Sequence, residues 1–365
     1  MFTSTTKKDR ASSVANTYCF NIDNNWYIID TSCGKKRRKE LKHFLKNKKN
    51  YSILCTHYHN DHIANNWFMA KKNTKIIYHK NAVSKIPYLR TNSTGQVLSM
   101  YKNLDKKSFL SRIGFFSSRT AEFLSGRPLI SRFIMPPLLF LLAYIISFKN
   151  TGFIFPSKKN INYLTPDKKV KINLSGITVK GWIIDKKLYA IETPGHTDCH
   201  IIFYHRTGKA LFSGDALNFL NPNDIQFGNI EDTFKSIDLI LNIAEKEGIE
   251  TLASGHYHPV SGKDDVIKYI KEIKEKHEYV YGIIQSELIK CGIHLNHDEI
   301  YQKILKIDDP VIKKLSRISF PVSTLVFLDV FVYKLITEIK KELPDIDTME
   351  NNLKCGEPEK RNLVP

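Results

Sequence analysis

Four metal-capable side chains fall within six positions in Thr56-His57-Tyr58-His59-Asn60-Asp61-His62. Imidazole nitrogens and carboxylate oxygens are the donors that zinc and similar divalent cations accept. An apolar run at 51–55 precedes them and reads as a strand. Its alternation would carry His57 and His59 to one face, where both could reach one ion. Asp61 and His62 follow at the turn into the next element, free to face a second ion. A polar surface turn rich in His would look the same locally, so distant parts of the chain must decide.

Those parts come in order. Thr193-Pro194-Gly195-His196-Thr197 places a His in a Pro-Gly turn, Phe212-Ser213-Gly214-Asp215 follows an apolar strand, and Ser254-Gly255-His256 ends another. Each is weak alone, because a single His after a strand is commonly a structural side chain. Together they make five His and two Asp. This set resembles the metallo-β-lactamase superfamily, whose pattern is H-x-H-x-D-H followed by H, D and H. The TPGHT and SGH forms look most like its glyoxalase II-like branch. The likeness covers about 14–260, apart from a middle insert.

The resemblance implies an α/β (α+β) fold, the αββα sandwich. It also implies two divalent metal ions: zinc by the His-rich ligation, with iron or manganese as alternatives. His57, His59 and His196 would hold one ion, Asp61, His62 and His256 the other, and Asp215 would bridge them. Such a pair lowers the pKa of a shared water from about 15.7 towards 7 and stabilises negative charge on the attacked group. Asp61 would orient the attacking hydroxide. His258 is either a proton donor to the leaving group or an exposed turn residue. Asp30 takes the place of the family's supporting Asp, although Thr31-Ser32-Cys33-Gly34 departs from the tighter Asp-Thr-Gly form. Cys199 replaces a small residue and is not expected to be a ligand.

The elements that must carry these residues follow from patterning. Residues 18–22 and 26–30 read as strands turned through Asp23-Asn24-Asn25. The basic segment 35–50 carries Leu41, Phe44 and Leu45 at helical spacing: an outer helix of an α/β layer, or a surface for membrane or nucleic acid. A helix at 63–72 and a strand at 75–79 come next. Strands are expected at 161–163, 169–172, 177–184, 188–192, 199–204, 209–212 and 251–253. A helix at 232–247 presents Phe234, Ile237, Leu241 and Ala244 on one face.

The interval 84–159 is an insert. Its stretch 133–148 holds sixteen uncharged residues, short of the roughly 20 needed to span a bilayer, and Pro136-Pro137 shortens its helical part. It reads as a helix that caps the site or dips into one leaflet, with Arg127, Arg132 and Lys149 for headgroups, or as a packed core helix. Past 260, Val266, Ile270, Ile273, His277, Val280 and Ile284 mark a long amphipathic helix. Asn296 to Glu299 resembles a capping box, and 320–336 reads as a packed helix. The expected organisation is a metallo-β-lactamase-like domain at 14–265, a helical appendage at 266–345 and a polar, disordered tail at 346–365. The appendage lacks the glutathione-binding pattern of a true glyoxalase II.

The 365 residues carry a net charge of +18, which favours anionic partners or merely solvates the surface. Six Cys without a C-x-x-C pair indicate reduced thiols and a cytoplasmic location, with peripheral membrane association as an alternative. The first residues lack the apolar core of a signal peptide. Three functions fit. The first is a metal-dependent hydrolase of thioesters or esters with an apolar acyl chain, acyl-CoA-like, acting on a small-molecule or lipid-like anionic substrate. The second is a phosphodiesterase or ribonuclease of the same superfamily, with nucleic acid as partner. The third is a non-catalytic, membrane-associated binding protein that kept the fold.

Overall fold

A computed structural model describes residues 2–4, 14–85 (apart from 49 and 72), 106, 107, 110, 117–141, 161–218, 230–291, 297–315, 332 and 336. Alternating side chains build two sheets in it. The first runs β1 (Phe2–Ser4), β2 (Thr17–Ile22), β3 (Asn25–Ile29), β4 (Tyr51–Leu54), β5 (Lys75–His79) and β6 (Ile161–Leu164), in spatial order 1-2-3-4-5-6. Asp23 and Asn24, both at positive φ, form a two-residue turn that sets the β2–β3 register. From β3 onward the pairs are parallel.

The second sheet holds β7 (Val170–Leu174), β8 (Ile177–Asp185), β9 (Leu188–Glu192), β10 (Ile201–His205), β11 (Ala210–Gly214), β12 (Thr251–Ser254) and β13 (Val260–Ser261). Its order is 13-12-11-10-9-8-7, antiparallel except for the β11–β12 pair. The two-residue period then fixes the layers. Ile201 and Phe203 of β10 face Tyr18, Phe20, Ile29 and Leu54 of the first sheet, forming the inner core. Ile202 and Tyr204 face outward and join an apolar cluster with Ile237, Ile240 and Ile243 of helix Ile230–Glu247. On the other flank, Ile53 and Tyr51 pack with Leu41 of helix Lys35–Phe44. Helix, sheet, sheet, helix is the αββα order expected.

Several local expectations change. The helix expected at 63–72 is two short helices, Asn60–Ile63 and Asn66–Met69. Between them the Asn65 backbone N–H bonds to the Ser32 carbonyl, and Asn66 bonds to Thr31, Cys55 and Tyr78, so tertiary polar contacts outweigh helical propensity. The buried stripe of Ile230–Glu247 centres on Ile237, Ile240 and Ile243, while Phe234 and Leu241 flank it half-buried. Pro136-Pro137 does not end its helix. The backbone is helical over 128–141, with a π-helical turn at Ile130–Ile134 just before the prolines. That turn sends the Met135 N–H to the Ile130 carbonyl, a wider loop that relaxes the crowding a proline ring imposes. Strands β1 and β13 were not expected from the sequence; both are short.

Helix Lys263–Cys291 buries the expected residues Val266, Ile270, Ile273, Val280 and Ile284 against the outer cluster of the second sheet. Helices His297–Leu305 and Pro310–Leu315 follow, and Ile300, Ile304 and Ile312 join that cluster. Among the described residues, no helix is long and apolar enough to cross a membrane. Cys19, Cys33, Cys55 and Cys199 are buried thiols. Asn296, 142–160, most of 320–336 and all of 346–365 lie outside the described residues.

Candidate metal centre

Two pairs of parallel strands end at the same rim. In the first sheet Ile29 of β3 pairs with Leu54 of β4, and Asp30 and Thr56 continue just beyond. In the second, Gly214 of β11 pairs with Ser254 of β12, so Asp215 and His256 emerge side by side. The Gly255 N–H donates to the Gly214 carbonyl at 2.7 Å. The Ile201 N–H donates to the Thr56 carbonyl at 2.9 Å, tying the two rims together. His196 enters from the turn between β9 and β10.

Asp30 lies beneath the cluster, as expected of the supporting Asp. Its φ of 51° folds the chain back at the end of β3. Its Oδ1 accepts the Thr56 N–H at 2.9 Å, and its Oδ2 accepts the Thr56 hydroxyl at 2.8 Å. That same Oδ2 lies 2.7 Å from His62 Nδ1. His62 therefore carries its proton on Nδ1 and turns Nε2 inward. Thr56 Oγ1, committed as a donor to Asp30, accepts from His57 Nδ1 at 3.0 Å, so His57 Nε2 also points inward. Thr31 and Ser32 N–H groups clasp the His62 carbonyl at 2.9 and 2.8 Å, which is how the altered turn after Asp30 serves the site.

The inward atoms meet at distances that need a proton or a cation between them. His196 Nε2 lies 3.3 Å from His57 Nε2 and 2.9 Å from His59 Nδ1. His62 Nε2 lies 3.3 Å from His256 Nε2. Asp215 stands between the two groups: Oδ1 is 3.2 Å from His62 Nε2, and Oδ2 is 3.3, 3.5 and 3.8 Å from the Nε2 atoms of His256, His196 and His57. Asp61 Oδ2 is 3.1 Å from His256 Nε2. The donors fall into two sets, His57-His59-His196-Asp215 and Asp61-His62-His256, each with its donor atoms within 4.8 Å of one another. Neither Asp215 oxygen accepts a hydrogen bond of proper angle, nor does Asp61 Oδ2, although all three atoms are buried. Lone pairs aimed at lone pairs in a buried site repel unless cations or protons lie among them. The donor set fits a dinuclear metal site.

Titration behaviour follows from that crowding. Burial pushes His57 and His59 well below the usual imidazole value, and neighbouring imidazoles add to the effect. Burial would also lower His62, but Asp215, Asp30 and Asp61 outweigh it and raise this imidazole well above normal. His256 reaches about 10, since Asp215 and Asp61 overcome its burial. Burial would raise Asp215, yet His62 and His256 hold it well below the ordinary carboxylate value. Both upward shifts show the carboxylates favouring positive charge among them, which metal cations would supply.

All seven residues read from the motifs are thus brought together. His258 lies between β12 and β13, half-buried, with its Nε2 buried and lacking a hydrogen-bond partner. Cys199 is buried and packs in the outer cluster of the first sheet, 3.5 Å from the Thr197 hydroxyl. Sequence reasoning missed His200. Its Nε2 accepts the Asp215 backbone N–H at 3.1 Å, so its proton sits on Nδ1 and is donated to Thr193 Oγ1 at 2.9 Å. Burial, then His196, lower it to about 3, so it stays neutral and keeps that acceptor. A second His four residues after His196 was the available signal. Asn16 was missed as well: its side-chain N–H groups donate to the carbonyls of Ser254 and Tyr257, holding the loop that carries His256.

The sequence model of the metallo-beta-lactamase superfamily matches residues 13–256. The chain belongs to the metallo-β-lactamase superfamily. The match ends at His256, the last residue of the second donor set, and leaves the helices after Lys263 outside it. No curated protein matches this superfamily member. Among solved structures, a metallo-beta-lactamase family protein from Thermus thermophilus is 17% identical over 87% of each chain, with a TM-score of 0.47. The sec-alkylsulfatase Pisa1 from Pseudomonas sp. is 15% identical with a TM-score of 0.50, over 96% of this chain and 50% of that one. A metallo-β-lactamase from Hirschia baltica is 11% identical over 71% of this chain and 85% of that one, with a TM-score of 0.41. At 15% identity the likeness to the alkylsulfatase is one of fold, and the chain spans only half of its length.

Proposed function

We propose that this superfamily member is a metal-dependent hydrolase of thioesters or esters with an apolar acyl chain, acyl-CoA-like. One observation carries the hydrolase reading: seven buried donors from four separate segments converge, and both Asp215 oxygens and Asp61 Oδ2 lack hydrogen bonds. His57, His59 and His196 would hold one cation, Asp61, His62 and His256 the second, with Asp215 between them. Two divalent ions, zinc by preference of the donor set, would supply Lewis acidity and a water acidified towards about pKa 7. Asp30 and Thr56 keep the His62 and His57 tautomers that turn Nε2 inward. Asp61 orients the attacking water, and His258 gives a proton to the leaving group. The thioester reading is supported by the TPGHT and SGH forms. The apolar acyl preference is supported by the insert, whose Met135 and Leu139 share one apolar cluster with Ala216 and Leu217, the residues after Asp215.

The test is metal content together with turnover of acyl-CoA thioesters, a phosphodiester and single-stranded RNA, in the natural protein and in Asp215→Ala. Thioester turnover should fall about a hundredfold or more in the variant, with loss of bound metal. RNA cleavage without thioester turnover would replace this reading with the phosphodiesterase one, to which the +18 charge is suited. Neither activity, and no bound metal, would leave a non-catalytic binding protein.

A further inference from the structure

The helical stretch 128–141 is amphipathic the wrong way round. Ser131, Met135 and Leu139, four residues apart, face inward and are buried, the latter two in the cluster with Leu217 and Ile240. The opposite face should then be polar. Instead it carries Leu129, Phe133, Ile134, Pro137, Leu138 and Leu141, all exposed; Leu129 and Phe133 are 74% and 70% accessible. Large side chains grouped on one face, unlike scattered exposed Leu, mark a surface that something covers.

The charges beside this face indicate what covers it. Arg119, Arg127 and Arg132 are exposed in 117–141, against a single acid, Glu122, which pairs with Lys107 at 3.1 Å. The Arg127 guanidinium lies over the exposed Phe123 ring at 3.8 Å, which places a cation beside an exposed aromatic side chain. The whole chain is +18. The fourteen described helical residues rise about 21 Å, a length that can lie along a membrane surface.

We infer that this face docks on a lipid bilayer bearing anionic headgroups, with Leu129, Phe133, Ile134, Leu138 and Leu141 entering the acyl boundary and the three arginines meeting the headgroups. The inference goes beyond the hydrolase reading and does not depend on it, because docking is read without turnover.

The test is flotation of the full chain with phosphatidylcholine vesicles, with and without phosphatidylserine. Binding is expected only to the anionic vesicles and should weaken as salt rises. The variant L129Q/F133Q, altered only at exposed positions, should keep its thermal transition and bind about tenfold more weakly or worse. Phe133→Trp gives a second measurement. Its added fluorescence should be quenched by lipids brominated in the acyl chain, beyond any quenching of the natural protein. Three results would overturn docking: no binding to anionic vesicles, full binding by L129Q/F133Q, or no added quenching in Phe133→Trp. A dimer in solution that L129Q/F133Q converts to monomer would overturn it too, by assigning the face to a second copy.

Discussion

Gly255 sits between Ser254 and His256, where Asp215 and His62 leave no room for a side chain. A Cβ there would run into Asp215 Oδ1 and come within 2.9 Å of His62 Cε1. Gly255→Ala should therefore shift the Asp215 carboxylate, lower metal content and cost about 1–3 kcal/mol of stability. Metal analysis and denaturant unfolding would check this, and full loading at natural stability would show that the carboxylate moves freely. At this scale the donors were readable because donor type and spacing are both constrained by one ion. His200 and Asn16 were not, since they act on backbone atoms from positions that no spacing rule singles out.

Helix Ile230–Glu247 is fastened at its end by a buried carboxylate. Glu247 accepts hydrogen bonds from the Ser175 backbone N–H and the Tyr204 hydroxyl, linking the helix to the β7–β8 turn and to β10. Burial would raise this carboxyl, but the Ser175 and Tyr204 bonds outweigh it and hold it below its ordinary value of 4.5. A depressed folded pKa means that the unfolded chain binds more protons between the two values. The stabilisation is complete above the unfolded pKa and fades as pH falls through the folded one. Glu247→Gln should cost about 1 kcal/mol or more at neutral pH, and the gap should close on acidification. Urea unfolding across that range would test it; a gap independent of pH would refute the linkage. Periodicity located this helix and most strands, because burial of one face repeats along the element. It misplaced the breaks, as at Asn65-Asn66, where partners distant in sequence decide.

Across the whole molecule, the donors come from both sheets. His57, His59, Asp61 and His62 follow β4, whereas His196, Asp215 and His256 follow β9, β11 and β12. An ion bound by both would tie the two sheets together and bind only the folded state. Ligand at a hundredfold its Kd adds about 2.7 kcal/mol. Chelation should lower Tm, and zinc added back should restore it. An unchanged Tm in chelator, with metal removal verified, would argue against ions joining the sheets. The outward apolar face of 128–141 was visible in the sequence only as an apolar run. Which of its residues lie inside depends on what packs beneath them.

The order and types of the seven donors, the alternation of the strands and the excess of positive charge are properties of the chain read residue by residue. The donors' order carried a resemblance to a known family, and that resemblance implied the fold and the membership of the site. A strand's period and a metal's donor preference are local rules that agree with it. Tertiary structure alone decided the inward tautomers of His57 and His62, the role of His200, the need for glycine at 255 and the exposed apolar face of the insert. Each of these depends on atoms brought within a few ångströms by folding, across separations in sequence that no local pattern records.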